Sequence, residues 1–324
     1  MNLKDIVKPI DAQLEEFDRY FKNLMKSKVS LLDIIIKYIT KKKGKRIRPA
    51  ITFLSAELCG GVTQRTFYGA SMVELLHTAT LIHDDVVDNS QKRRGLASIN
   101  YMWSNKVAVL IGDYLLAKGL LVSIDNDEFD FLKALSHAVR RMSEGELLQI
   151  QKSKELDITE ETYFKIISDK TASLIATCCE VGAISATPDR DVHKQLREFG
   201  ENLGIAFQIR DDIFDYLSKA SKIGKPVGND LKEKKITLPL LYAFTKVTKN
   251  VAKQKLKIIK DGDLKRSNIN EIVNFVIETG GIDYAEQKAK EYHEKALNIL
   301  ENFRDSEAKT SLINLSNFFI EREI

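Results

Sequence analysis

Apolar residues recur every three or four positions along most of this chain and rarely every two. "LLDIIIKYITKK", "TYFKIISDKTASLIATCCEVGA", "LREFGENLGIAFQIRDDIFDYL" and "EQKAKEYHEKALNILENF" each carry an apolar stripe that predicts a helix. No run alternates long enough to predict strands, and no Asn-Gly pair marks a hairpin. With 5 prolines and 16 glycines in 324 residues, little interrupts these patterns. No Ser/Pro/Gly-rich linker and no fixed short period divides the chain. The expected class is all-α, one large helical bundle spanning 1–324 as a single domain.

Acids break two of the stripes. "LIHDDVVDNSQKRRG" ends an apolar run with Asp84, Asp85 and Asp88. Residues four apart lie about 40° apart around a helix. His77, Thr80, Asp84 and Asp88 therefore share a rough stripe, with Asp85 beside it. Carboxylates this close repel, and a helix C-terminus disfavours acids, so a cation is expected among them. Hard oxygen donors without neighbouring Cys suit Mg²⁺, which also shares ligation with phosphate. One such motif alone is more often a solvated helix end. A second copy shifts the balance: "FQIRDDIFDYL" repeats the spacing with Asp211, Asp212 and Asp215, and Gln208 shares their face. The two helices facing each other would form a six-carboxylate mouth above an apolar interior. Divalent ions could hold a diphosphate between its walls. The repeated acid helices also hint at an old duplication.

Composition narrows the alternatives. A chain 44% hydrophobic and 30% charged can bury a large core, and a net charge of +4 does not argue for nucleic acid as partner. Cys59, Cys178 and Cys179 form neither a disulfide framework nor a zinc pattern, which suggests a reducing cytoplasm. The N-terminal "MNLKDIVKPIDAQLEEF" does not have the pattern of a secretory signal. "TASLIATCCEVGAISAT" is short for a membrane span and broken by Glu180, so no transmembrane segment is expected.

Cations cluster near the acids. In "KKKGKRIRPA", Pro49 is expected to start a helix, which places Lys45 and Arg48 at an anion-attracting N-terminus. A nucleic-acid or localisation patch is the competing explanation. Arg93 and Arg94 follow the first acid helix, and Arg forks suit phosphate oxygens.

With these motifs together, the chain resembles the trans-prenyltransferase (polyprenyl diphosphate synthase) family from about Lys45 to Pro239. The resemblance implies the isoprenoid synthase fold, a helical bundle with a central cavity. It implies head-to-tail 1'-4 condensation of isopentenyl diphosphate with an allylic diphosphate, using three Mg²⁺. Asp84, Asp88 and Asp211 match the main metal ligands, and Asp85, Asp212 and Asp215 the supporting acids. "GKRIRP" matches the isopentenyl diphosphate segment, assigning that ligand to Lys45, Arg48, His77 and Arg94. The allylic diphosphate falls to Arg93, Lys170 and Thr171 of "DKTASL", Gln208, Lys225 and Lys235. Lys170 and Lys225 are also counted with the acids in catalysis. One departure stands out: the family usually has Gly-Lys before "TLP", and this chain has Lys234-Lys235. Phe207 matches an aromatic near the growing chain, where it could face the cation or simply fill the core.

Product length is the further expectation. Leu76, Ala79 and Thr80 lie one and two turns before Asp84, where bulky aromatics stop growth in short-chain members. Here the two nearer positions are small, so "HTATLIHDDVVD" looks most like octaprenyl-type enzymes that make quinone side chains. A class I terpene cyclase would lack the second DDxxD, and a non-catalytic subunit would have lost one of the two. An inert scaffold would explain the aspartates singly but not their pairing with "GKRIRP" and "DKT". The family pattern also implies a homodimer. Lys-rich residues 246–266 suggest a solvated face, with weak contact to anionic membrane as the lesser reading.

Overall fold

The computed structural model describes residues 2–41, 44–93, 95–217, 228–261 and 265–321. The expected class holds: described residues are overwhelmingly helical, and their one sheet is a hairpin pairing Lys92–Arg93 with Leu96–Ala97. That hairpin follows the first acid motif, and its turn was not marked by an Asn-Gly pair.

Two long helices carry the acid motifs. The first, Gln64–Val87, starts where Thr66 Oγ1 accepts from the Thr63 N–H at 3.0 Å, satisfying a free end donor. The second, Arg190–Leu217, packs against Ser173–Ala186 on one side and Gly281–Leu300 on the other. The first acid helix packs mainly along Asn105–Ile124, and Ser173–Ala186 is covered by Ile47–Cys59.

Two apolar cores result. The larger centres on Phe17, Phe53 and Phe67, whose rings sit 5.1–6.5 Å apart. The smaller lies among Ile209, Ile213, Leu238, Ile272 and Val276. Arg190–Leu217 belongs to both: Leu196, Phe199 and Leu203 enter the first, and Ile205, Ile209 and Ile213 the second. Each fully buried Leu, Ile or Phe contributes roughly 1.5–3 kcal/mol. A buried stripe on both sides of the acid motif therefore fixes its rotation: Asp211 and Asp215 emerge on the remaining face, and Asp212 turns inward.

Three expectations need correction. Ile47–Cys59 begins two residues before Pro49, after Arg46 turns left-handed at φ 53°. The stretch around "SDKTA" is not one continuous α-helix: Glu160–Ile167 passes into a turn of π-helix, Ser168–Ala172, before Ser173–Ala186. The most membrane-like helix is Asn105–Ile124, which is long and apolar enough to cross a bilayer by length and composition. Its inner side lies on the first acid helix, and its outer side leaves Val109, Leu110, Leu120, Leu121 and Ile124 exposed.

Candidate active site

The six aspartates are not equivalent. Asp84 is half-buried on the last turns of its helix, and Asp88 is exposed at its C-cap. Burial pushes the Asp84 carboxyl up from its usual range, and the nearby charges of Glu146 and Asp88 add to it. Such a group gains from a cation. Asp85, by contrast, is buried and already has one: Arg93 reaches its Oδ1 at 2.6 Å. The Asn100 amide also donates to the Asp85 carbonyl at 3.1 Å. The hairpin thus folds Arg93 back onto the acid helix.

In the second motif, Asp211 is half-buried while Asp212 turns inward. The Tyr163 hydroxyl donates to Asp212 Oδ2 and the Gln208 amide to Oδ1, each at 2.7 Å. Thr171 Oγ1 in turn donates to Gln208 Oε1 at 2.8 Å. Burial, and after it the charge of Asp230, holds the Asp212 carboxyl well above its usual range. Asp215 accepts the backbone N–H groups of Asn229 and Asp230, each at 3.0 Å. It ties the short helix Asn229–Lys232 back onto the acid helix and brings Asp230 to the site. Spacing alone did not reveal these inward ties.

The π-turn carries Lys170 and Thr171. Lys170 Nζ sits 2.5 Å from Glu146 Oε2 and donates to Gln149 Oε1 at 3.2 Å. Lys235 pairs with Glu233 and follows Lys234, whose φ of 57° is left-handed. That conformation explains the departure noted in the sequence: glycine takes it without strain, and Lys234 takes it with a bond from its Nζ to the Lys260 carbonyl at 2.8 Å.

Two cavities adjoin these groups. One, of about 110 Å³, is lined by Lys170, Thr171, Gln208, Asp212, Asp230 and Lys235 among others. The other, of about 600 Å³, has His77, Asp85 and Arg93 on one wall and Arg46 and Pro49 on another. Its floor is apolar, with Phe17, Phe21, Met25 and Ile99. One cavity thus lies near each acid helix, within the expected helical bundle. His77 is buried, Lys45 exposed and Arg48 half-buried. Arg94 and Lys225 lie outside the described residues.

Residues 29–276 match the polyprenyl synthetase family. The chain belongs to that family. It is 36% identical over 320 residues to the all-trans-nonaprenyl-diphosphate synthase (geranyl-diphosphate specific) of Rhodobacter capsulatus, covering 98% of each chain. It is 33% identical over 323 residues, and 100% of each chain, to the octaprenyl diphosphate synthase of Escherichia coli. A polyprenyl synthase from Caulobacter crescentus CB15, complexed with calcium and isoprenyl diphosphate, superposes with a TM-score of 0.91 at 33% identity. That similarity covers 99% of this chain and 98% of the other. The chain is therefore a trans-prenyltransferase, a polyprenyl diphosphate synthase that joins isopentenyl diphosphate to an allylic diphosphate.

The donor set of this polyprenyl synthetase suits Mg²⁺. Asp84, Asp88 and Asp211, the motif acids matched to metal, offer carboxylate oxygens, the first and last half-buried and Asp88 exposed. Among the described residues, no three His, Cys, Asp or Glu side chains converge to hold an ion by themselves. An ion there must complete its shell with diphosphate oxygens and water, which is the habit of Mg²⁺.

The length-determining candidates lie on one helix but face different ways. Leu75, Ala79 and His83 share the face turned to Asn105–Ile124, since Leu75 lies against Gly119 and the His83 ring against Gly112. Ala79 and Leu76 are each 1% exposed, and Thr80 is half-buried. A tail passing Ala79 must therefore displace packed side chains rather than water. Phe207 fills the core, with its ring edge-on to Phe319 at 5.0 Å.

Glu146, Gln149, Tyr163 and Asp230 were missed in the sequence. Glu146 and Gln149 share a face at i and i+3 within "GELLQIQ", a polar pair that helix spacing could have revealed. Tyr163 carried no such signal, because its partner lies 49 residues away.

Proposed function

We propose that the chain makes a long-chain, all-trans polyprenyl diphosphate, most directly for quinone side chains. The observation that carries this reading is the contrast between the two cavities. The smaller mixes Lys170, Thr171, Gln208 and Lys235 with Asp212 and Asp230, as a site shared by cations and an anion requires. The larger places His77 beside the Ile47–Cys59 N-terminus, where side chains and helix dipole can hold a second diphosphate. The small Ala79 and Thr80 leave no aromatic floor near Asp84, which favours long products. The octaprenyl and nonaprenyl relatives support the same conclusion.

In this reading Asp84, Asp88 and Asp211 would hold three Mg²⁺ with the allylic diphosphate, and Asp85, Asp212 and Asp215 support them from behind. Bound Mg²⁺ supplies positive charge to the departing diphosphate. Arg93, Lys170, Thr171, Gln208, Lys225 and Lys235 orient that group. Lys45, Arg48, His77 and Arg94 hold the isopentenyl diphosphate, which stays intact. The allylic C–O bond breaks, the isopentenyl double bond attacks the resulting cation, and one proton leaves to the diphosphate. Dry walls keep water from the cation. The metal-assisted site acts on the group whose charge grows, and the cationic site only binds, so stabilisation is concentrated where the transition state needs it.

The whole chain acts as one domain, because Arg190–Leu217 crosses both cores. It works in the cytoplasm, consistent with cysteines that form no disulfide. The exposed stripe Val109, Leu110, Leu120, Leu121 and Ile124 suits a second copy, giving a homodimer. The Lys-rich stretch at 246–266 gives at most weak contact with an anionic membrane.

The test is incubation with Mg²⁺, labelled isopentenyl diphosphate and farnesyl diphosphate, followed by separation of the products by length. A ladder ending at one length beyond geranylgeranyl supports the reading. No elongation rejects catalysis, and termination at twenty carbons rejects the long-chain assignment.

A further inference from the structure

The π-turn is held from behind by charges the reaction does not use. Arg141, on Phe129–Glu155, donates from Nε to Asp169 Oδ1 at 2.7 Å and from its NH2 nitrogen to Ser168 Oγ at 2.7 Å. The same nitrogen donates to Glu201 Oε1 at 2.6 Å, and Ser168 Oγ also donates to that oxygen at 2.6 Å. Lys165 takes the other Asp169 oxygen at 2.8 Å. Asp169 is buried, so this carboxylate needs those partners.

Close contact adds a second constraint. A Cβ at Gly145 would come 2.9 Å from Asp169 Cβ and 3.0 Å from the Lys170 nitrogen. A Cβ at Gly204 would come 2.5 Å from Ala172 Cα. Both neighbouring helices therefore lie against the turn at positions where only hydrogen fits. Single π-turns within α-helices often mark functional sites because they re-aim side chains. Here Ser168 and Asp169 enter the ion cluster, and the next two residues, Lys170 and Thr171, line the smaller cavity.

We propose that Arg141 is a positioning residue for prenyl transfer. It binds Asp169, Ser168 and Glu201 together and so fixes the turn that aims Lys170 and Thr171 at the allylic diphosphate. This rests on the roles given to Lys170 and Thr171 above. Arg141 itself touches no substrate. Its planar fork serves three partners at once, which a lysine cannot reproduce.

The experiment compares wild type, Arg141→Met, Lys170→Ala and the double variant, with KM for each substrate and kcat measured separately. Arg141→Met is expected to raise KM for farnesyl diphosphate on the order of 10-fold, as misplaced contacts do. KM for isopentenyl diphosphate should stay within about twofold. In the Lys170→Ala background, the same change should cost less than about twofold further, because its effect runs through Lys170. A parallel change in both KM values overturns the proposal, as does an undiminished effect without Lys170 or wild-type kinetics in either single variant. If Arg141→Met does not fold, Gly145→Ala moves the same turn, and a wild-type allylic KM there overturns it equally. Failure of the underlying reading looks different: wild type then elongates no primer at all.

Discussion

Tyr163 and Asp212 are both buried, and the phenol donates to the carboxyl at 2.7 Å across 49 residues of chain. The bond crosses between helices and makes one member of the second acid motif part of the interior. Tyr163→Phe should keep the ring packing and leave Asp212 Oδ2 without that donor. The expected loss is about 1–3 kcal/mol in urea unfolding, with a higher Mg²⁺ requirement in turnover. Unchanged stability would show that the bond contributes nothing net.

Lys234 occupies left-handed space that glycine enters freely. Lys234→Gly should raise stability by about 0.5–1 kcal/mol, after allowing for the lost bond to the Lys260 carbonyl. Lys234→Val should lower it, since a β-branched residue is least at ease there. Chemical denaturation reads both, and an identical midpoint in all three proteins contradicts the strain assignment.

Asp84 lies at the mouth with its carboxyl pushed upward by burial and by Glu146. Asp84→Ala should remove most turnover while leaving the fold intact by circular dichroism. Full activity of the variant at limiting Mg²⁺ contradicts the metal assignment.

Ala79 faces Asn105–Ile124 in a packed contact. Ala79→Tyr should shorten the product ladder by closing the path a tail would force open. It should also lower stability by about 1–3 kcal/mol, because the ring enters filled space. An unchanged ladder in a folded variant shows that the tail takes another route.

Acid stability should depend on Arg141. Burial alone would raise the Asp169 carboxyl, but hydrogen bonds from Lys165 and Arg141 outweigh it and hold the group below its usual range. Glu201 is lowered in the same way, against its burial, by Arg141 and Ser168. Carboxyls lowered in the fold add stability above their unfolded pKa, near about 4, and lose it as pH falls through the folded values. Wild type should therefore lose Tm in that window, and Arg141→Met should lose less there. Parallel Tm curves for the two would count against the pairing.

The helices were legible because apolar spacing sets which face a helix buries, and that information is local. The acid and base motifs were legible because carboxylates and cations have few reasons to interrupt such a face. Asp215 was read only as an acid beside a metal. Its clasp on Asn229 and Asp230 depends on chain 14 and 15 residues later, returning to the same place. The single turn of π-helix left no mark in "SDKTA", since its residues also suit an α-helix. Lys234 hid a glycine-like conformation behind a long side chain. In each case the missing information was a tertiary contact that overrode local preference.

One extra residue separates Ser168–Ala172 from an ordinary helical turn. Deleting one position there would restore an unbroken spiral from Glu160 to Ala186 with its two ends nearly in their present phase, and would re-aim the residues of the turn itself. The helix would still pack against its neighbours, leaving a folded and catalytically silent protein. Activity here depends on angular phase as well as on which residues are present.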